Sequence, residues 1–512
     1  MRANRMIGQQ RLTVMGCVVS LVATFSLTAT GNSYLLDASY GGVDGVPNGG
    51  YTGVYKTINA ALAAVPSGAS AANPNLLFVN PGTYNTAATT GVSLSYSRSN
   101  VALIGMSGNA DDVVFTSTLD SAYVPSGTTS TLGTTGSASL QLKGNNVSAV
   151  NITFANSTDT PYIVSTGHQT VSPTGSYNTT GQSQTASQPA VALLLQGDEQ
   201  AFSNCKFLGY QDTLYTKGGR VYITNSYVSG DNDFMFANGT VVFKNSTINF
   251  DGDHSGGAMT AASTDKRTSN GLVFLNNKIT GNSVHGNTVI DSQNGANVNG
   301  PGLSSMYLGR PWGWQQTGGD AGTVFINNQF LTTAIKPVGW LAWNPNETNV
   351  ANGKNGGNPA EDSRYAEYGN TDVGNSSIDV SGRVSWSHQF TAGQASAYTV
   401  ANIFSYEGNP QYPWYGNGYP STDASMPGTG SANPSDPNYS WPAFWGDRNS
   451  QNDGTGNDLI LNNPMSYSDP SWIVAAAWDP DAQLAAVPEP GSAVLLGLGV
   501  LICWRRARKR SR

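Results

Sequence analysis

Apolar positions in the middle of the chain recur in short, evenly spaced bursts: an apolar residue, any residue, Asn, two residues, then apolar again. The pattern appears as Phe202-Ser203-Asn204-Cys205-Lys206-Phe207 and as Ile223-Thr224-Asn225-Ser226-Tyr227-Val228. It returns around Asn245, Asn276 and Asn327, with a looser copy at Asn151. Asn204 and Asn225 are 21 residues apart, and Asn225 and Asn245 are 20 apart. Short strands of alternating polarity repeating at that period predict a solenoid of stacked β coils. The expected fold is therefore all-β, a right-handed parallel β-helix with loop insertions and an irregular C-terminal extension. The Asn column itself is expected to be structural, as a side-chain ladder at a turn.

Helical periodicity is nearly absent; the exception is Thr57 to Val65, a candidate cap for the N-terminal end. Ser/Thr/Gly-rich stretches at 117–138 and 160–187 read as insertions that could wall a cleft. The repeat stops near residue 410, and 411–486 forms a Gly/Pro/Asn/Trp-rich extension. The expected division is 1–30 signal peptide, 31–410 β-helix catalytic domain, 411–486 extension and 487–512 sorting or anchor segment.

The two ends carry addresses. Arg2, Arg5 and Arg11 precede an apolar stretch to Leu27, with small residues at Ala29-Thr30-Gly31, the pattern of a signal peptide. At the other end Val487-Pro488-Glu489-Pro490 precedes an apolar run to Trp504 and then six basic residues. That arrangement resembles the PEP-CTERM sorting signal of Gram-negative bacteria, implying passage through the inner membrane and transient contact with sorting machinery. An ordinary C-terminal anchor is the alternative. Only 11% of residues are charged, which suits an exported, turn-rich protein. The chain carries a net −7; setting aside three basic residues at the start and a net five at the end leaves a body near −15. Nucleic acid is therefore not an expected partner. Cys205 is the one cysteine outside the two end segments, so no intrachain disulfide is available to the body.

The period also places the chemistry. Asp212 lies eight residues after Asn204 and Asp233 eight after Asn225, so both share one phase of adjacent coils. Strands about 4.8 Å apart would stack the two carboxyl groups, driving their pKa values apart into a proton donor and an anion. Asp253 falls in the same phase after Asn245, and phase alone does not single out a pair.

The flanking residues do. Gly209-Tyr210-Gln211-Asp212-Thr213-Leu214-Tyr215, Asp233-Phe234-Met235-Phe236 and Leu308-Gly309-Arg310-Pro311-Trp312 resemble, in order, hallmark segments of the pectin methylesterase family. Gly339-Trp340-Leu341-Ala342-Trp343-Asn344, Tyr365-Ala366-Glu367-Tyr368 and Gly382-Arg383-Val384-Ser385-Trp386 extend the resemblance. It implies hydrolysis of the methyl esters of polygalacturonate, releasing methanol, without metal or other cofactor. By that resemblance Asp233 is the nucleophile, Asp212 the acid/base, Arg310 the partner of the nucleophile and Gln211 an oxyanion donor. Trp312, Phe234 and Tyr210 are the expected substrate-binding aromatics. Methyl-esterified homogalacturonan is the expected partner, and a monomer the expected state.

The family's second oxyanion glutamine directly precedes Ala190-Val191-Ala192-Leu193, where this chain has Pro189, with Gln188 one place earlier. A one-residue shift in a β coil turns a side chain to the other face unless a bulge intervenes. Asp231-Asn232 and Ala237 also depart from the usual Thr-Val and Gly. Other readings are a non-catalytic carbohydrate-binding matrix protein on the same β-helix, a polysaccharide lyase, or an esterase of a different acyl group.

Overall fold

The computed structural model describes residues 31–87, 92–158, 175–177, 189–250, 257–264, 270–281, 306–312, 321–331, 335–341, 363–384, 387–396, 398–406 and 477–488. Successive coils each give one short strand to three long parallel sheets of twelve, eight and seven strands. One coil runs Gln200–Ser203, Lys206–Leu208, Leu214–Thr216, and the next begins at Arg220–Thr224. The coils stack in strict register, with Gln200 opposite Val221 and Leu214 opposite Met235. This is a parallel β-helix, the architecture that the spacing predicts.

The corner between the twelve- and eight-stranded sheets explains the Asn column. Asn151, Asn204, Asn225, Asn245, Asn276 and Asn327 all have φ between 49° and 59°. Asn tolerates this left-handed region better than most residues because its short polar side chain can bond locally. The ladder itself sits one residue further on. Cys205 N–H donates to Ser226 Oγ at 3.1 Å, Ser226 N–H to Ser246 Oγ at 3.0 Å, and Ser246 N–H to Asn277 Oδ1 at 2.8 Å. Asn277 N–H then donates to Asn328 Oδ1 at 2.8 Å, and Asn328 N–H to Asn370 Oδ1 at 2.9 Å. In the predicted column only Asn204 and Asn151 join side chain to side chain among the described residues, at 2.6 Å. A left-handed residue turns its own side chain outward and the next one into the stack, so the ladder falls on its neighbour.

Inside the prism, aligned aromatics stack coil on coil. Phe243, Phe274 and Phe325 lie 4.8 and 4.4 Å apart, each pair within 4° of parallel. Each such ring contributes roughly 1.5–3 kcal/mol by burial. The helix Ile58–Ala64 packs Ile58, Ala61 and Leu62 against the same core, and Thr57 Oγ1 caps it by accepting from Ala60 N–H at 3.2 Å.

The outer face of the twelve-stranded sheet is covered from the C-terminal side. Residues 477–486, which composition places in an extension, pack here as part of the body. Arg220, fully buried, donates to Asp198 (2.9 and 2.7 Å) and Glu199 (2.8 Å), with the Trp478 ring 5.8 Å from its guanidinium. Gln483, on the helix Pro480–Ala485, donates to Ser148 Oγ at 2.9 Å, and Tyr222 Oη donates to Asp481 at 2.9 Å. Of the two insertions, Tyr123–Pro125 pairs antiparallel with Gly175–Tyr177. Residues 160–174 and 178–187 lie outside the described residues, as do the signal segment 1–30, residues 411–476 and residues 489–512.

Candidate active site

The seven-stranded sheet carries the site on its outward face. Its strands Leu214–Thr216, Met235–Ala237, Ala258–Ala262 and Tyr307–Pro311 are consecutive neighbours. Asp212 and Asp233 each lie two residues before paired Leu214 and Met235, so they occupy equivalent positions in adjacent coils. Both have left-handed φ, 63° and 49°, which turns each carboxyl outward at the lip of the sheet. Asp212 N–H donates to Asn232 O at 3.1 Å and Asp233 N–H to Ala258 O at 2.7 Å, tying the two turns to their neighbouring coils. Asp253, in the same phase, lies outside the described residues.

Arg310 closes the arrangement from two strands away. Its Nε donates to Asp233 Oδ1 at 2.8 Å and its Nη2 to Asp233 Oδ2, a bidentate pair. Such forks fix orientation as well as charge. Asp212 has no such cation to itself. Burial pushes its pKa well above the usual carboxylate value, and the charge of Asp233 pushes it further; Arg310 pulls the other way, Asp231 adds a smaller push, and a hydrogen bond from Gln211 a smaller pull. Gln211 is buried at the site with its amide turned to Asp212. The result is one carboxyl group gripped by an arginine fork beside one that burial and like charge bias towards its protonated form, the kind of division that acid–nucleophile chemistry uses.

Trp312 is half-buried at the end of the Arg310 strand, its N–H bonded to Ala262 O at 2.9 Å. It meets Phe236 edge-on at 5.8 Å and Tyr215 at 6.2 Å, and those two rings stack on each other at 4.1 Å. Tyr215 and Phe236 are site-facing aromatics that sequence reasoning passed over. The signal was available: each follows an inward residue, Leu214 or Met235, in a strand of period two.

Two expected substrate-binding residues are corrected. Phe234 is fully buried in the central core, and Tyr210 is fully buried against Ala155 and Leu208. The left-handed Asp233 sends its own side chain outward and the following Phe234 inward; Tyr210 lies in the turn two residues past the strand Lys206–Leu208, its carbonyl accepting from Asp231 N–H at 3.2 Å. Neither ring reaches the cleft. Gln188 lies outside the described residues. Pro189 accepts from Ser121 N–H at 2.9 Å through its carbonyl and brings no hydrogen-bond donor of its own to that position.

Proteins similar to this chain share one family description and one fold. Residues 163–408 match the Pectinesterase family model, and residues 486–509 match the PEP-CTERM protein-sorting motif. Among curated relatives, Pectinesterase 31 of Arabidopsis thaliana is 36% identical over 31% of this chain, a stretch covering 41% of its own length. The chain thus spans under half of that relative. A pectin methylesterase solved in complex with a hexasaccharide is 25% identical, covering 73% of this chain and 97% of its own, with a TM-score of 0.54. The pectin methylesterase of Yersinia enterocolitica is 28% identical, covering 68% of this chain and 98% of its own, with a TM-score of 0.52. The chain thus carries a β-helix similar to those of pectin methylesterases, followed by a match to a protein-sorting motif.

Proposed function

We propose that this chain, as bearer of a β-helix similar to those of pectin methylesterases, hydrolyses the methyl esters of polygalacturonate. The observation that carries the reading is the unequal pair: Asp233 forked by Arg310, and Asp212 buried beside it without a fork, its pKa raised first by that burial. Asp233 attacks the ester carbonyl carbon, and the carbonyl electrons move to oxygen, where the Gln211 amide donates to the oxyanion. As the tetrahedral centre collapses, Asp212 gives its proton to the departing methoxy oxygen and methanol leaves. The acyl group now rests on Asp233. Asp212, ionised, takes a proton from water as that water attacks the acyl carbon; collapse frees the galacturonic acid, which gives its proton to solvent, and restores both aspartates.

Trp312, backed by Tyr215 and Phe236, offers an aromatic face on which the apolar side of a sugar ring can stack. This supports an extended polysaccharide as substrate, as does the likeness to a pectin methylesterase solved with a hexasaccharide. The acidic body and the sorting motif fit a protein exported through the inner membrane of a Gram-negative bacterium to its surface or matrix.

The test is methanol release from highly methylated pectin by the purified protein, with Asp233→Asn as control. No release by a folded wild-type chain on any methylated pectin would sink the proposal. Pro189 favours a second reading, a carbohydrate-binding protein with weakened or absent turnover, because a missing oxyanion donor costs about 10²–10³ in rate. Binding to pectin without methanol release would select it.

A further inference from the structure

The reaction uses Asp212 and Asp233 and leaves a third carboxyl group unaccounted for. Asp231 is fully buried, two residues before Asp233 and on the same turn. Backbone bonds set that turn against the one carrying Asp212. Asp231 N–H donates to Tyr210 O at 3.2 Å, and Asp212 N–H donates to Asn232 O at 3.1 Å, so the contacts bracket Gln211 from both sides. The Asp231 backbone is thereby held on the turn stacked against that of Asp212, by the same stacking that aligns the reacting pair, and its charge acts on that acid.

The charges around Asp212 are then unbalanced. Acting on it are Asp233, Asp231 and Arg310, with Gln211 donating a hydrogen bond; Tyr215 faces it from its own strand. Tyr365, deeper in the prism, couples to Asp233 and Arg310. Arg310 is the one cation in this group among the described residues, and its fork is committed to Asp233. Asp212 therefore faces two carboxyl groups without a cation of its own. Like charges at close range in a desolvated site make a carboxyl group hold its proton to higher pH.

We propose that Asp231 is a positioning residue for Asp212, a third buried carboxyl group that keeps the acid protonated into the range where the ester is attacked. The inference rests on the esterase reading above. The proton given to the methoxy oxygen comes from Asp212, and Asp231 exchanges none; it acts by its field alone. The same field makes the ionised Asp212 a stronger base towards water in the second half of the reaction.

The experiment compares the pH profile of kcat/KM for wild type, Asp231→Asn and Asp231→Glu, with Asp231→Ser as a second neutral variant should Asn fold poorly. Removing the charge is expected to move the alkaline limb to lower pH, so that activity above the optimum falls several-fold while the acidic side is kept; Asp231→Glu is expected to restore the wild-type limb. A neutral variant with the wild-type profile overturns the proposal, and so does an equal loss at every pH that Asp231→Glu fails to rescue. The Asp212 carboxyl is also titrated directly, by isotope-edited infrared spectroscopy without substrate, where the neutral variant is expected to release its proton at lower pH. An unchanged titration overturns the proposal. A wild-type protein that releases no methanol yet shows the shifted titration overturns the esterase reading alone.

Discussion

Arg310 grips Asp233 from two strands away, and the strand between them presents alanine at the facing positions. Ala258 accepts the Asp233 N–H and Ala261 pairs with Arg310 itself. Two strand spacings are about 10 Å, a span that an arginine side chain crosses only if nothing stands in its path. Arg310→Ala leaves the carboxylate without its partner and is expected to lower kcat/KM by roughly 10²-fold or more. Ala261→Leu, which adds a branched side chain beside the guanidinium, is expected to lower kcat with KM little changed. Steady-state kinetics on methylated pectin check both; wild-type kcat in Ala261→Leu would show that the path is not confined.

Keeping a proton on a buried acid has a cost in stability with a definite sign. The folded-state pKa of Asp212 is raised, first by burial and then by Asp233. Such a group favours the fold below its unfolded pKa near 3.8 and loses that contribution as pH rises through the folded value. Asp212→Asn removes the ionisation. The variant is expected to melt higher than wild type at neutral and alkaline pH, with the difference shrinking as pH falls and gone below the unfolded pKa. Melting curves across pH decide it; a difference constant with pH would mean that ionisation is not its source.

The aromatic floor gives a separate prediction. Trp312 is the half-buried ring, and Tyr215 and Phe236 lie almost wholly beneath it. Trp312→Ala is expected to raise KM for long oligogalacturonates by roughly 3- to 10-fold, on stacking worth about 0.5–1.5 kcal/mol, with less effect on kcat. Phe234→Ala is expected to act differently: it empties the core and lowers Tm, costing about 3–5 kcal/mol. A KM effect from Phe234→Ala at unchanged stability would return that ring to the cleft.

These residues also show how far the chain could be read without coordinates. The coil period was legible because Asn recurs at the one corner of each coil where the backbone enters the left-handed region. The ladder beside it was not, because Ser226, Ser246 and Asn277 accept the neighbouring coil's N–H with different side chains. Asp212 and Asp233 were legible as a phase, and Arg310 through its flanking motif. Phe234 and Tyr210 were misplaced because closeness in sequence to the two aspartates does not say which way a ring faces: both rings are fully buried, Phe234 just after a left-handed turn. Pairing Arg310 with Asp233 needed contacts 77 residues apart, which no local pattern carries.

The C-terminal clasp lay beyond sequence reading for the same reason: Tyr222 and Asp481 are 259 residues apart. Its packing makes a prediction of its own. Trp478 covers the Arg220 guanidinium, packs on Phe404 at 4.7 Å and donates to Gln483 Oε1 at 2.7 Å. Gln483 in turn bonds Ser148 Oγ and Glu199 O, so a single ring and one amide join four separated parts of the chain. Arg220 holds its two carboxylates without exposure to water, and uncovering it lets solvent compete for each of those bonds. Trp478→Ala is therefore expected to cost about 3–5 kcal/mol, and Gln483→Ala less, about 1–3 kcal/mol. Because the site lies on a different sheet, kcat at a temperature where both proteins are folded is expected to stay at the wild-type value. Denaturant unfolding alongside methanol release checks the pair of statements: unchanged stability in Trp478→Ala would mean the segment only rests on the body, and lost kcat in a folded variant would mean the two faces are coupled.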